Sequence, residues 1–212
     1  MPASTASASQ PNYNSAATKN LATLVDNEKI NVQLIAHALK LGADPNTRLD
    51  NHESVAERLV NVACNSGDRN ALEALKVVAS SPHFNPNATS GLMGDHNLIG
   101  ATLVHAAGAM GDPTKRPEAL EALNAVVSDP KADFNAAVVK KPAPQNAIQY
   151  ASELQRELKN VPTTEIPQFA GTVVRAKINQ ERASVSAAAV GGTPTLPTSV
   201  PGVGGDRQQR TH

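Results

Sequence analysis

The chain has 212 residues, enough for one domain of ordinary size with a buried core. Aromatic residues make up only 2% of it, so the core must be built mainly from Ala, Leu, Val and Ile, a composition that suits closely packed helices. Because 19 basic side chains balance 19 acidic ones, net charge argues against nucleic acid or an anionic membrane surface as the main partner.

Three zones of composition divide the chain. Residues 1–17 are mostly Ser, Thr, Ala and Asn, carry no charge, and lack the basic and apolar regions of a cleaved signal peptide, so we predict a disordered N-terminal segment. Residues 183–212 are interrupted by Gly and Pro every few positions and are predicted to form a disordered tail. The remainder, residues 18–182, is predicted to form one helical repeat domain.

Helical periodicity is present in three segments of this middle zone, because their apolar residues recur at spacings of three and four. The predicted buried stripes are Leu34, Ile35, Ala38, Leu39 and Leu41; Leu72, Leu75, Val78 and Ala79; and Leu120, Leu123, Val126 and Val127. The alternating β-branched runs expected of a sheet are absent. Cys64 lies in the apolar run VNVACN and is predicted to be a small buried residue.

The first stripe runs into the turn GADPN, residues 42–46. Gly42 can take a positive φ and end the helix, while Pro45 prevents the helix from resuming. Asp44 and Asn46 can bond neighbouring backbone groups. The segment therefore predicts a helix terminator that directs the chain outward before the next helix.

Internal repetition is the strongest pattern in the chain. ALEALKVVASSPHFN, residues 71–85, returns as ALEALNAVVSDPKADFN, residues 119–135. RLVNVACNSGD, residues 58–68, parallels TLVHAAGAMGD, residues 102–112, and NAIQYASEL, residues 146–154, provides a third copy. This alignment places Asn61, His105 and Gln149 in equivalent positions, 44 residues apart.

On these segments the chain resembles the ankyrin-repeat family. TLVHAAG at residues 102–108 is similar to the opening of that family's unit, and GADPN at residues 42–46 and KADFN at residues 131–135 are similar to its ending. The spacing of 44 is longer than the family's 33. The resemblance implies a helix-pair solenoid with loops along one edge, in which Thr102 and His105 would lock a turn by bonding backbone groups.

The residues give no positive indication of catalysis, a metal site or a cofactor. No two histidines stand four residues apart, and no Gly-x-Ser-x-Gly segment or phosphate-binding loop occurs. GLMGDHNLIG, residues 91–100, is interpreted as a flexible loop between repeats. Asp112, Glu118 and Glu121 are interpreted as acids that complement a helix dipole.

The predicted interaction sites are the loops between repeats. The first tip carries Arg48, Asp50, Asn51, His52 and Glu53, and the second carries Leu92, Met93, Asp95 and His96. For Leu92, Met93, Leu98 and Ile99, packing back onto the helices and contact with a partner stay open as alternatives. The third tip, residues 138–145, carries Lys140 and Lys141.

We therefore expect a binding module without catalysis that holds a protein partner through its loop tips and concave helix face. The Ser-rich N-terminus is similar to the secretion signals of bacterial type III effectors, which implies delivery into a host cell. Two alternatives stay open: an enzyme, or the substrate-docking part of one, and a cytoplasmic bacterial scaffold or chaperone-like adaptor.

Overall fold

The computed structural model describes residues 11–140, 143–158 and 166–190. Within these residues the chain forms eight helices and a two-stranded antiparallel sheet. In chain order the elements are α1 (Ser15–Asp26), α2 (Val32–Lys40), α3 (Val55–Ser66), α4 (Arg69–Ala79), α5 (Leu98–Ala109), α6 (Arg116–Val127), β1 (Ala137–Val139), β2 (Gln145–Asn146), α7 (Ala147–Glu157) and α8 (Ile166–Val190). The prediction of a mostly helical class is confirmed, whereas the small sheet was not predicted.

The helical part extends past both predicted boundaries. Helix α1 begins at Ser15, before residue 18, and the Asn14 side chain caps it. Helix α8 continues beyond residue 182. The rest of the two predicted disordered segments, residues 1–10 and 191–212, lies outside the described residues. None of the described helices combines the length and apolar character needed to span a membrane.

The helices associate in consecutive pairs. Helix α1 packs with α2, α3 with α4, α5 with α6, and α7 with α8, and each pair also contacts the next pair along the chain. A loop that folds back on itself precedes α3, α5 and α7. We call residues 48–54 and 89–97 the first and second loops, and residues 137–140 with 143–146 the third loop. The first two are closed by the bridges Arg48 to Ser54 and Thr89 to Asn97, and the third by β1 and β2.

The first helix of each later pair starts at a capping side chain. Ser54, Asn97 and Asn146 accept bonds from the backbone of α3, α5 and α7 respectively. Relative to these caps, His105 lies well inside α5 but Gln149 lies in the first turn of α7. The equivalence of His105 and Gln149 that a 44-residue register predicts is therefore wrong, because the caps Asn97 and Asn146 stand 49 residues apart.

The turn GADPN behaves as the sequence predicts. Gly42 has φ of 88°, a conformation that glycine adopts without a steric penalty. Asp44 Oδ1 accepts a bond of 2.9 Å from the Asn46 backbone N–H, and Ala43 N–H donates back to the Ala38 carbonyl at 3.1 Å. The segment therefore ends α2 and turns the chain toward the first loop.

Two asparagines connect successive turns. The Asn46 amide donates to the His83 carbonyl at 2.8 Å, and its Oδ1 accepts from the Asn85 backbone N–H at 2.8 Å. Asn87 makes the same pair of bonds one unit later, to the Lys131 carbonyl at 2.7 Å and the Asp133 N–H at 2.9 Å. We call these two bridging side chains the asparagine rungs. They link successive units by binding backbone groups of the next turn.

A second series of bonds ends in α8. Lys131 Nζ donates to the Pro82 carbonyl at 3.1 Å and also to the Phe84 carbonyl. At the next turn Gln180, on α8, donates to the carbonyls of Pro130 at 2.7 Å and Ala132 at 3.0 Å. An uncharged amide on a helix thus occupies the place that a lysine holds in the preceding unit.

The core lies between the helix pairs and is largely aliphatic. Leu72, Leu75 and Val78 of α4 are fully buried, as are Leu123 and Val126 of α6, so the stripes predicted for these two helices are confirmed at those positions. In α2 the stripe is narrower than predicted. Ile35 and Ala38 are buried, but Leu34 and Leu41 are 49% and 51% exposed, so their predicted burial is wrong.

Cys64 is completely buried in α3, as predicted, and this burial raises the pKa of its thiol to about 12. A raised pKa leaves less thiolate at any given pH, and the thiolate is the reactive form. We therefore expect the native chain at pH 8 to react with a thiol reagent more than about a hundredfold more slowly than the chain in denaturant. Stopped-flow labelling measures both rates, and equal rates would contradict the burial of Cys64.

Candidate functional site

The three loops join into one continuous edge, which we call the loop edge. The Arg48 guanidinium donates to the His52 carbonyl at 3.0 Å within the first loop and to the Thr89 carbonyl at 2.9 Å in the second. The second and third loops are joined by backbone bonds, from Asn97 N–H to the Val138 carbonyl at 3.0 Å and from Lys140 N–H to the Asp95 carbonyl at 2.8 Å. Predicted tip residues from separate parts of the sequence are thus brought together.

Among the predicted contact residues of the first loop, Glu53 differs from its neighbours because it is buried. Its side chain is buried, with 1% of the residue exposed, and it accepts bonds from the amides of Asn51 at 3.2 Å and Asn61 at 3.3 Å. Asp50, Asn51 and His52 are exposed. The structure therefore contradicts the prediction that Glu53 contacts a partner, since its carboxylate is used to hold the loop against α3.

The apolar residues of the second loop divide into two groups. Leu98 and Ile99 are buried as the first residues of α5, which settles the two alternatives for them in favour of packing. Leu92 is 49% exposed and Met93 is half-buried. The Met93 backbone N–H donates to the Ser90 hydroxyl at 2.8 Å. Leu92 is thus the apolar side chain that this loop offers to solvent.

The second loop is held by Glu57, a residue that sequence reasoning did not single out. The Glu57 carboxylate is fully buried; it accepts a bond from the Ser90 hydroxyl and another from the Gly91 backbone N–H at 3.0 Å. Gly91 lies against the first loop, where an added Cβ would stand 1.7 Å from the His52 carbonyl oxygen. Residues 91–100 are interpreted from the sequence as a flexible loop. These contacts instead hold Gly91 in place, and residues 98–100 belong to α5. The sequence signal for Glu57 is the capping box that it forms with Ser54.

Thr102 and His105 do not lock a turn. The Thr102 hydroxyl donates to the Leu98 carbonyl of its own helix at 2.7 Å, and the buried Nε2 of His105 has no hydrogen-bond partner among the described residues. Burial lowers the pKa of His105, whereas the negative charges of Glu57 and Glu53 act in the opposite direction and raise it. The role that the ankyrin resemblance implies for these two residues is therefore not the one observed.

The acids near α6 take part in ion pairs and a turn. Lys76 of α4 contacts Glu121 at 2.7 Å, and Arg69 contacts Glu118 at 3.7 Å. Asp112 accepts bonds from the backbone and hydroxyl of Thr114. These contacts join α4 to α6 and shape the start of α6, so two of the three acids have a tertiary role that the sequence did not indicate.

His96, a residue of the second loop, contacts α7 through Tyr150. Its Nε2 lies 2.9 Å from the Tyr150 hydroxyl, and the two ring centroids are 5.5 Å apart. Its Nδ1 is buried and has no hydrogen-bond partner in the part of the chain that the structure describes. Burial lowers the pKa of His96, against the charge of Asp95, and therefore favours the neutral imidazole at pH 7.

Beside this pair is a cavity of about 260 Å³, which we call the α7 cavity. Its walls come from the second loop, the third loop and α7: His96, Val139, Ala143, Gln145, Tyr150, Glu153, Leu154 and Glu157. Sequence reasoning missed the part from α7. The available signal was the spacing of Tyr150, Glu153 and Glu157, which places all three on one helix face. Lys141, named in the third tip, lies outside the described residues.

The loop edge and the α7 cavity are two surfaces at which another molecule could bind. Among the described residues, no three His, Cys, Asp or Glu side chains are placed to hold a metal ion. Comparison of the chain with protein-family models, curated proteins and solved structures found no match. The residues and contacts described above are therefore the basis for any functional conclusion.

Proposed function

We propose that the chain is an ankyrin-like module, without catalysis, that binds a segment of a partner protein along its loop edge. The observation that carries this proposal is the bonding of the three loops to one another. Arg48 and the backbone bonds between Asn97 and Val138 and between Lys140 and Asp95 hold the loops together, while Asp50, His52 and Leu92 extend into solvent.

Such an edge suits binding because its shape is set before the partner arrives. Ordering flexible loops during binding opposes association, and loops that are already bonded to each other avoid most of that cost. Alternation of an exposed apolar side chain with polar ones is also typical of protein interfaces. The pairing of helices supports the ankyrin-like part of the proposal, since stacked pairs present their connecting loops on one side.

The test is partner capture by the full chain from host and bacterial lysates, with a matched pair of variants. Leu92→Ser changes an exposed leucine on the loop edge, and Leu41→Ser changes an equally exposed leucine at the end of α2. We expect a stoichiometric partner that Leu92→Ser weakens by about tenfold, since a central interface residue contributes more than 1 kcal/mol. Leu41→Ser should bind it like the parent.

Two results would contradict the proposal. One is a partner that both variants retain equally, which would place the interface elsewhere. The other is turnover of a lysate component by the purified chain, which would indicate an enzyme. Thermal melts of both variants should match that of the parent, because neither leucine belongs to the core.

Delivery into a host cell is a separate part of the proposal. Its support is the composition of residues 1–17, which are rich in Ser and free of charge. A fusion of residues 1–20 to a translocation reporter in a bacterium with a type III secretion system should reach host cells. Retention of the reporter in the bacterium would exclude this route.

A further inference from the structure

The α7 cavity is lined by both apolar groups and acids. Val139 is buried, Leu154 is half-buried, and the Tyr150 ring closes the wall near His96. Glu153 and Glu157 follow each other by one helical turn on α7 and line the same space. A volume of about 260 Å³ accommodates one long side chain but not a folded element.

The charge inside the cavity is negative. Among the residues that the structure describes, no lysine or arginine lines it, and burial lowers the pKa of His96, which favours its neutral form. Glu153 Oε2 accepts a bond from the Gln145 amide, a neutral donor that orients this carboxylate without cancelling its charge. The negative field is also felt by Tyr150: burial raises the pKa of its hydroxyl, and the charges of Glu153 and Glu157 raise it further.

These features select one kind of occupant. An anionic group would be repelled by both carboxylates, and a purely apolar side chain would leave them without a counter-charge. A lysine or arginine side chain suits both the apolar and the acidic lining. Its methylene stem can lie along Leu154 and Tyr150 while its charged head reaches the glutamates. A cation near the Tyr150 ring gains additional attraction from the aromatic face.

We infer that the α7 cavity binds a lysine or arginine side chain of the partner segment that lies along the loop edge. This inference rests on the proposed function and adds to it the chemistry of the partner. Residues of the second and third loops line the cavity, so a segment that contacts Leu92 of the second loop can continue toward it. The partner is therefore a protein with a basic residue in an accessible stretch of chain.

The experiment uses two probes that differ in one group. Nα-acetyl-lysine N-methylamide carries the ammonium, and Nα-acetyl-norleucine N-methylamide has the same carbon stem without it. Titrated into the 15N-labelled full chain, the lysine compound should give saturable shifts of the Tyr150 and Glu153 amide signals with a Kd on the order of 1 mM, a value typical of such small fragments. The norleucine compound should shift them little.

Variants separate this site from general acidity. Glu157→Gln, at an exposed position, and the double variant Glu153→Gln/Glu157→Gln should weaken lysine binding, the double variant by about fivefold or more. The control Glu28→Gln/Glu181→Gln removes the same charge from exposed positions elsewhere and should bind like the parent. Equal shifts by both compounds, or unchanged lysine binding by the double variant, would overturn the inference.

The two proposals fail in distinguishable ways. If a captured partner is lost with Leu92→Ser but retained by Glu153→Gln/Glu157→Gln, the loop edge binds and the cavity inference is overturned. If the lysine compound binds the cavity but no partner depends on Leu92, the proposed function is overturned. Support for both requires one partner whose capture is weakened by both changes.

Discussion

Replacing Leu123 with alanine is expected to lower the free energy of unfolding by about 2 to 5 kcal/mol. Leu123 is completely buried in α6, a helix that contacts α3, α4, α5 and α8. Removing its branched end leaves a void that several rigid neighbours border, so the surroundings can relax only in part. Denaturant unfolding followed by circular dichroism measures the change.

Leu92→Ala provides the control for this prediction. The same atoms are removed, but the side chain is 49% exposed, so stability should change by less than about 0.5 kcal/mol. A Leu123→Ala variant that unfolds at the same denaturant concentration as the parent would show that α6 is not packed between its neighbours. The m-value should stay constant if only stability changes.

Two glycines of α5 give a second pair of opposite results. A Cβ added at Gly100 would stand 2.3 Å from the Val138 carbonyl oxygen, whereas no atom of the described residues lies within 4 Å of a Cβ added at Gly108. We expect Gly100→Ala to destabilise the chain by about 1 to 3 kcal/mol, because backbone of the third loop must move away. Gly108→Ala should stabilise it by up to about 1 kcal/mol through helix propensity.

The same unfolding measurement decides this comparison, and hydrogen exchange locates the effect. Gly100→Ala should also accelerate exchange of the Asn97 N–H, which donates to the Val138 carbonyl in the native chain. Equal stabilisation by both changes would mean that the third loop does not approach the start of α5. Helix propensity alone cannot produce opposite signs at two glycines of one helix.

Local features of the fold were predictable, and features set by packing were less so. The end of α2 follows from Gly42, Pro45 and Asn46, whose conformational preferences act within a few residues. The exposure of Leu34 does not follow from spacing, because the stripe of a nine-residue helix is wider than the surface that the neighbouring helices cover. Periodicity indicates which face is apolar but not how much of it is covered.

The site shows the same division. Loop tips could be located from turn residues. The burial of Glu53, however, depends on Asn61, which lies eight residues further along the chain on α3. The α7 cavity depends on contact between His96 and Tyr150, which are 54 residues apart in the chain. No pattern within one segment reports such a contact, since it arises only when successive helix pairs are placed side by side.

The bonds of Gln180 determine how the last helix pair is attached to the one before it. In the preceding unit the equivalent carbonyls are bound by Lys131, a residue of the following turn. By donating to the carbonyls of Pro130 and Ala132, α8 supplies from within a helix the bonds that a turn residue supplies in the preceding unit. The fourth helix pair is thereby fastened to the third by a residue of α8 itself, whereas the turn after α6 is fastened to the turn after α4 by a turn residue.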